Sequence, residues 1–179
     1  IFANCGQCKL HHYLLNNVIY HQHYHIVNYN VNGDHNFFNY DYLANEIPKM
    51  RYMTGGQVTV PLVIRTANGG GLGFGAQHSQ AVENWVFTVP GLKIAAPSTP
   101  ADVVGLMASA IRSDDPVVFF EHKGLLASKG EPAPAEHIVP LGEASVVRSG
   151  NDVTVVALAS TVPTALSAAE QLIAEDISV

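Results

Sequence analysis

The sequence predicts an α/β fold built on a mainly parallel, doubly wound sheet. Three observations carry that expectation. Two apolar, β-branched runs, Val58 to Arg65 and Pro116 to Glu121, read as strands buried on both faces. Between them Pro97-Ser98-Thr99-Pro100-Ala101-Asp102 announces a capped helix. Strand–helix–strand alternation of this kind makes parallel neighbours with helices on both faces.

Residues 1–40 stand apart from this pattern. They form an atypical Asn/His/Tyr-rich segment, as in His21-Gln22-His23-Tyr24-His25, and show no sustained helical or alternating period. Asn, His, Tyr and Asp share codons ending in AT, so the segment reads either as AT-rich or out-of-frame coding DNA joined to another frame, or as an irregular extension.

From Asp41 the period is clear. Tyr42 to Met53 reads as a helix with Leu43, Ile47 and Met50 on one face. Pro48 predicts a kink or a late start, and Thr54-Gly55-Gly56 a stop. After the first strand come a glycine-rich loop, a short helix over Ser79 to Thr88 and a short strand over Lys93 to Ala96. In the next helix Ser98 or Thr99 is the cap, Pro100 suits the first turn and Asp102 complements the macrodipole. Val103, Leu106, Met107, Ala110 and Ile111 form its apolar stripe. Gly124 to Pro140 has no period and reads as a linker between domains lying on the surface. Val153 to Leu158 then predicts a strand, Pro163 to Ala174 a helix and Ile177 to Val179 the start of another strand. These divide the chain into residues 1–40, a domain over 41–138 and the start of a second, truncated domain over 139–179.

Bulk properties narrow the function. A net charge of −6 argues against a nucleic-acid backbone as partner. No run approaches the ~18 apolar residues of a membrane span. Two cysteines make no disulfide framework, and no leader pattern opens the chain, so an intracellular protein is expected.

The chemistry points to one loop. Asn68-Gly69-Gly70-Gly71-Leu72-Gly73-Phe74-Gly75 leads from a buried strand to Ala76-Gln77-His78-Ser79-Gln80. A histidine behind a flexible turn at a sheet edge is a usual way to present a proton-transfer group. The glycines lack the Gly-Lys-Ser/Thr of a phosphate loop and the spacing of a dinucleotide fingerprint, so they read as a flexible loop. Trp85, in the helix after His78, reads as core filling, with packing at a subunit or cofactor interface as the alternative.

Several ordered blocks carry a resemblance: Lys49-Met50-Arg51-Tyr52-Met53-Thr54-Gly55-Gly56, Val60-Pro61-Leu62-Val63-Ile64-Arg65, Ala76-Gln77-His78-Ser79-Gln80, Val89-Pro90-Gly91-Leu92-Lys93, Pro97-Ser98-Thr99-Pro100 and Asp115-Pro116-Val117-Val118. On these, residues 41–179 resemble the β subunits of thiamine-diphosphate-dependent 2-oxo acid dehydrogenases, a group that includes the pyruvate, branched-chain and acetoin enzymes. Glu121-His122-Lys123 and Lys129-Gly130-Glu131 lean toward the acetoin and bacterial branch. The resemblance implies most of a thiamine-diphosphate pyrimidine-binding domain followed by the start of a transketolase-type C-terminal domain. It implies oxidative decarboxylation of a 2-oxo acid with acyl transfer to a lipoyl group. The implied partners are an α subunit, in an α2β2 assembly, and a lipoyl-bearing acyltransferase. No Gly-Asp-Gly signature is present (Gly33-Asp34-His35 is not one), so the α subunit would hold the diphosphate and its magnesium. The implied compartment is the cytoplasm, or the mitochondrial matrix in a eukaryote. Other readings are an inactive truncated or assembly-only relative and another transketolase-like enzyme.

By the same resemblance His78 is the catalytic residue. Gln77 lies in the cofactor vicinity. Arg51 either reaches the same cleft or answers its helix C-terminus, and Tyr52 either reaches the cleft or packs. A potassium ion is implied on the backbone carbonyls of Leu62, Ala110, Ile111, Ser113 and Asp115, hard oxygen donors at a helix end; an ordinary capped turn is the alternative. One departure weighs against activity. The family's cofactor-activating glutamate has no match in residues 1–40, Glu46 belongs to a packing helix, and Phe37 and Phe38 match the ring-flanking aromatics by type only. Cys5, Cys8, His11 and His12 have the look of a zinc half-site, read as accidental spacing. His21, His23 and His25 would share a strand face with no more than nonspecific metal affinity.

Overall fold

The computed structural model describes residues 18–21, 24–29 and 40–179. Cys5, Cys8, His11, His12, His23, the Gly33-Asp34-His35 triplet, Phe37 and Phe38 lie outside the described residues. A five-stranded sheet organises the chain: β1 (Val18–His21), β2 (Tyr24–Tyr29), β3 (Leu62–Asn68), β4 (Lys93–Ala95) and β5 (Val117–His122), in the order β1-β2-β3-β5-β4. The pairs β2–β3, β3–β5 and β4–β5 are parallel, and β1 joins β2 antiparallel at the edge. The doubly wound α/β expectation therefore holds. The segment before residue 41 differs from its reading, because it contributes two strands. Its Asn, His and Tyr residues hide the period that apolar residues would have displayed. His21 and His25 fall on different strands, with His25 opposite Tyr20, so the single-strand face the spacing suggests does not form.

Both faces of the sheet are covered. A π-helical turn, Tyr42–Glu46, runs into α1 (Ile47–Met53), with Pro48 in the first turn where its missing N–H costs no helix bond. Ile47 from α1, Val82, and Val86 from α2 (Asn84–Phe87) pack on Leu62, Ile64, Val118 and Phe120. On the other face Ala110, Leu106, Met107 and Ile111 of α3 (Pro100–Ile111) cover Val63, Ala95, Val117 and Phe119. A fully buried aliphatic or aromatic side chain contributes about 1.5–3 kcal/mol, so β3 and β5 hold the densest part of the core.

Several boundaries move for physical reasons. Strand β3 begins at Leu62, four residues later than Val58. Pro61 cannot donate to a ladder, and the Val60 N–H goes instead to the Asp114 carbonyl at 2.9 Å. It then continues past Arg65 to Asn68, because β5 pairs with it through His122. The helix expected over Ser79 to Thr88 shrinks to Asn84–Phe87. Ser79, Gln80 and Val82 use their polar groups to close the glycine loop. Val103 leaves the expected apolar stripe: Val103 and Val104 line an open groove with Met107, Ala108, Ile111 and Arg112. Trp85 is not core filling; it is 50% exposed, and the buried residue of α2 is Val86.

Past β5 a 3₁₀ turn, Lys123–Leu125, opens an irregular segment whose end lies along α3, where the Val139 N–H donates to the Gly105 carbonyl at 3.2 Å. The helix expected over Pro163 to Ala174 is present as α4 (Thr161–Leu172). Val153 to Leu158 and Ile177 to Val179 are not strands. Among the described residues no neighbouring strand offers them a ladder; they meet around Ser178, whose carbonyl accepts from the Asp152 and Val153 N–H groups, whose N–H donates to Asp152 Oδ2 and whose Oγ accepts from the Asn151 N–H.

Candidate functional site

The carboxyl ends of β3 and β5 lie side by side, with Asn68 opposite His122. Ligands of open α/β sheets collect beyond such ends. Here the glycine loop leaves β3 and is closed at its base by two bonds. The Gly69 N–H donates to the Gln80 carbonyl at 3.1 Å, and the Val82 N–H to Asn68 Oδ1, also at 3.1 Å. Within the loop the Phe74 N–H donates to Ser79 Oγ at 2.9 Å. Asn68 is 2% exposed, and its Nδ2 finds no partner among the described residues.

His78 sits on the returning limb of this loop. Its imidazole is half-buried, and Nδ1 is enclosed and unbonded among the described residues. Two orphaned polar atoms, His78 Nδ1 and Asn68 Nδ2, therefore belong to residues of one loop and its base. Buried polar atoms are normally satisfied, so this pair suits a polar group arriving from outside the chain. The Lys123 ammonium donates to the His78 carbonyl and stands 5.9 Å from the Phe74 ring centroid. The next residue back, His122, accepts from the Gly124 N–H at Nδ1 (3.1 Å) and lies 3.0 Å through Nε2 from Ser160 Oγ. An Nδ1 that accepts matches a ring proton on Nε2, the atom that faces Ser160 Oγ. Gly69 takes φ +116°, and a Cβ there would lie 2.5 Å from the His122 ring, so only glycine allows the loop to leave over that imidazole. Gln77 is exposed on the same loop.

Arg51 and Tyr52 do not join this group. The Arg51 guanidinium donates to Asp115 Oδ1 at 2.7 Å, at the amino end of β5. One strand length, roughly 20 Å at about 3.3 Å per residue, separates that end from the loop side. Tyr52 is 88% exposed on α1, so it does not pack in the core of this chain. Lys93 completes the charged group, its ammonium 3.1 Å from Asp115 Oδ2 and 3.2 Å from Ser113 Oγ. Burial pushes the Asp115 carboxyl up, but the hydrogen bonds and charges of Arg51 and Lys93 outweigh it and hold it below the usual carboxylate range. The Arg51 guanidinium is raised in return, first by its hydrogen bond to Asp115.

Leu62, Ala110, Ile111, Ser113 and Asp115 all belong to this amino edge. The Val60–Asp114 backbone bond ties the entry of β3 to the turn after α3. The Ala110 carbonyl accepts the Arg112 and Ser113 N–H groups. Glu46 is exposed in the π turn. Among the described residues no three His, Cys, Asp or Glu side chains gather as a metal site, and no helix is long and apolar enough to cross a membrane.

Sequence reasoning missed Asn68, His122 and Lys123 as members of this site. Each is a polar residue at the end of an apolar strand, the signal that would have found them.

Residues 35–129 match the family model described as "Transketolase, pyrimidine binding domain", and residues 142–179 match "Transketolase, C-terminal domain". The chain is 44% identical over 138 residues to the acetoin:2,6-dichlorophenolindophenol oxidoreductase subunit beta of Cupriavidus necator, covering 77% of this chain and 41% of that protein. It is 44% identical over 143 residues to the mitochondrial pyruvate dehydrogenase E1 component subunit beta-1 of Arabidopsis thaliana, covering 77% and 39%. It is 42% identical over 137 residues to the 2-oxoisovalerate dehydrogenase subunit beta of Bacillus subtilis, covering 76% and 42%. The chain thus spans about two fifths of the length of these relatives. A solved structure titled "Split gene transketolase, inactive beta4 tetramer" superimposes with a TM-score of 0.65 at 22% identity, over 85% of this chain and 46% of that one, a likeness of fold.

Proposed function

We propose a function that follows from the family to which this chain belongs, that of the transketolase pyrimidine-binding domain: it serves as the β-type subunit of a 2-oxo acid or acetoin dehydrogenase. The observation that carries the reading is His78, with Nδ1 enclosed and unbonded, on a glycine loop beyond the carboxyl end of β3. The loop fits a thiamine diphosphate shared with an α subunit that holds the diphosphate and magnesium, and two orphaned polar atoms at its base and return favour such a partner. When bound, that cofactor supplies the nucleophilic carbon for decarboxylation. The chain's own part is narrower. Asn68 and Gly69 fix where the loop leaves and returns, Phe74 and Lys123 shape it, and His78 holds or moves a proton beside the reacting group. A mobile acyl acceptor on a lipoyl-bearing component would receive the product. The proposed compartment is the cytoplasm, or the mitochondrial matrix in a eukaryotic cell. The carbonyls of Leu62, Ala110, Ile111, Ser113 and Asp115 would hold a potassium ion at the opposite edge, where they act on stability and not on the reaction.

The test is reconstitution of the full chain with an α subunit bearing a diphosphate motif. Saturable thiamine diphosphate binding and reduction of 2,6-dichlorophenolindophenol with pyruvate, a branched 2-oxo acid or acetoin support the proposal. Absence of saturable binding overturns it. Binding without turnover favours the assembly-only reading.

A further inference from the structure

We propose that Lys123 is a positioning residue that clasps the His78 loop to the end of β5. Among the described residues its ammonium makes two polar contacts, and both go to the same loop: a hydrogen bond to the His78 carbonyl and a cation–π contact with Phe74. Among the described residues no carboxylate pairs with it. The cation is therefore committed to the loop backbone, where a charged donor binds a carbonyl more strongly than a neutral one. A clasp also needs a fixed base. Lys123 follows β5 directly, and His122 is held on three sides, by the Gly124 N–H, by Ser160 Oγ and by the Gly69 backbone under its ring.

The consequence is directional. Closure at Asn68 and Gly69 fixes the ends of the loop, and the bonds nearer its apex, Phe74 N–H to Ser79 Oγ and Gln80 Nε2 to the Ala76 carbonyl, stay within the loop and leave it free to swing about its base as a unit. Lys123 removes that freedom at the residue whose side chain must be placed. A misplacement of about 1 Å can cost about 100-fold in rate. As a catalytic positioning role the proposal rests on the function assigned to His78; as a clasp on the loop it does not.

Hydrogen exchange by mass spectrometry on the full chain, assembled with its α subunit, separates the two. In Lys123→Met the amides of residues 70–80 should exchange about 10-fold faster or more, while those of α3 keep the wild-type rate. In the same variant kcat should fall by up to about 100-fold with KM for the 2-oxo acid unchanged. Lys123→Arg should restore most of both. Wild-type loop exchange in Lys123→Met, or equal behaviour of the Met and Arg variants, overturns the proposal. Should Lys123→Met fail to fold, Phe74→Leu carries the test: faster loop exchange supports the clasp and unchanged exchange overturns it. If the wild-type assembly turns nothing over, the reading of His78 falls, and exchange alone decides the clasp.

Discussion

Asn68 and His122 are register partners on the same face at the carboxyl ends of β3 and β5, and each anchors a different side of the loop that carries His78. Asn68 holds the return of the loop through the Val82 N–H. His122 supports its departure, with Gly69 lying over the ring.

Replacing Asn68 by alanine leaves the Val82 N–H without its acceptor in a buried position. The expected cost is about 1–3 kcal/mol. Denaturant unfolding measures it, with a lower midpoint and an unchanged slope.

Gly69→Ala adds a Cβ against the His122 ring at a φ of +116°. Strain of this kind costs about 1–3 kcal/mol. The imidazole must move away from Ser160 Oγ, so the His122 ring resonances should shift in NMR spectra along with the loss of stability.

His78→Ala should leave folding close to wild type, since the ring is half-buried and its Nδ1 bonds nothing. In the assembled enzyme kcat should fall about 100- to 10,000-fold. Steady-state assays with cofactor saturating distinguish this from weakened binding; a loss of less than 10-fold would remove His78 from the chemistry.

Asp115 gives the fold an acid limit. Its folded pKa is depressed, so its contribution is complete above the unfolded value near 3.9 and is lost as pH falls through the folded one. Asp115→Asn should therefore flatten the decline of stability below about pH 4. Unfolding midpoints followed from pH 6 to pH 2.5 would show it; an unchanged acid limb would assign that limb to other carboxylates.

Asp102 acts locally. Burial pushes its carboxyl up, but hydrogen bonds from Ser98 and Thr99 bring it below the ordinary range. It closes a capping box in which the Asp102 N–H donates to Thr99 Oγ1. Asp102→Ala should cost about 1 kcal/mol, read as a lower thermal midpoint.

The helix over Pro100–Ile111 was legible because its signals are local: a cap, a proline and an acid within one turn. Strand ends were less so. Pro61 marks locally where the ladder can start, but nothing within Val58 to Ile64 says that it runs on to Asn68; β5, about 50 residues away, decides that. His78 stood out by its glycine-rich surroundings. Arg51 was grouped with it on resemblance, yet only the direction of β3 and β5 reveals that Arg51 serves the other edge of the sheet. His122 and Lys123 were noticed merely as a mark of one family branch. Their work depends on contacts with residues more than 35 positions distant in sequence, which no local pattern records.

Pairing along β3 and β5 also acts as an address. Side chains alternate between the two faces, so sliding one strand past the other by a single step would turn either the amide at 68 or the imidazole at 122 to the wrong side. Core substitutions that loosen this alignment, such as at Val118 or Phe120, would therefore reach the loop as well as the melting curve. Variants far from the chemistry can thus act on it through the register of two strands.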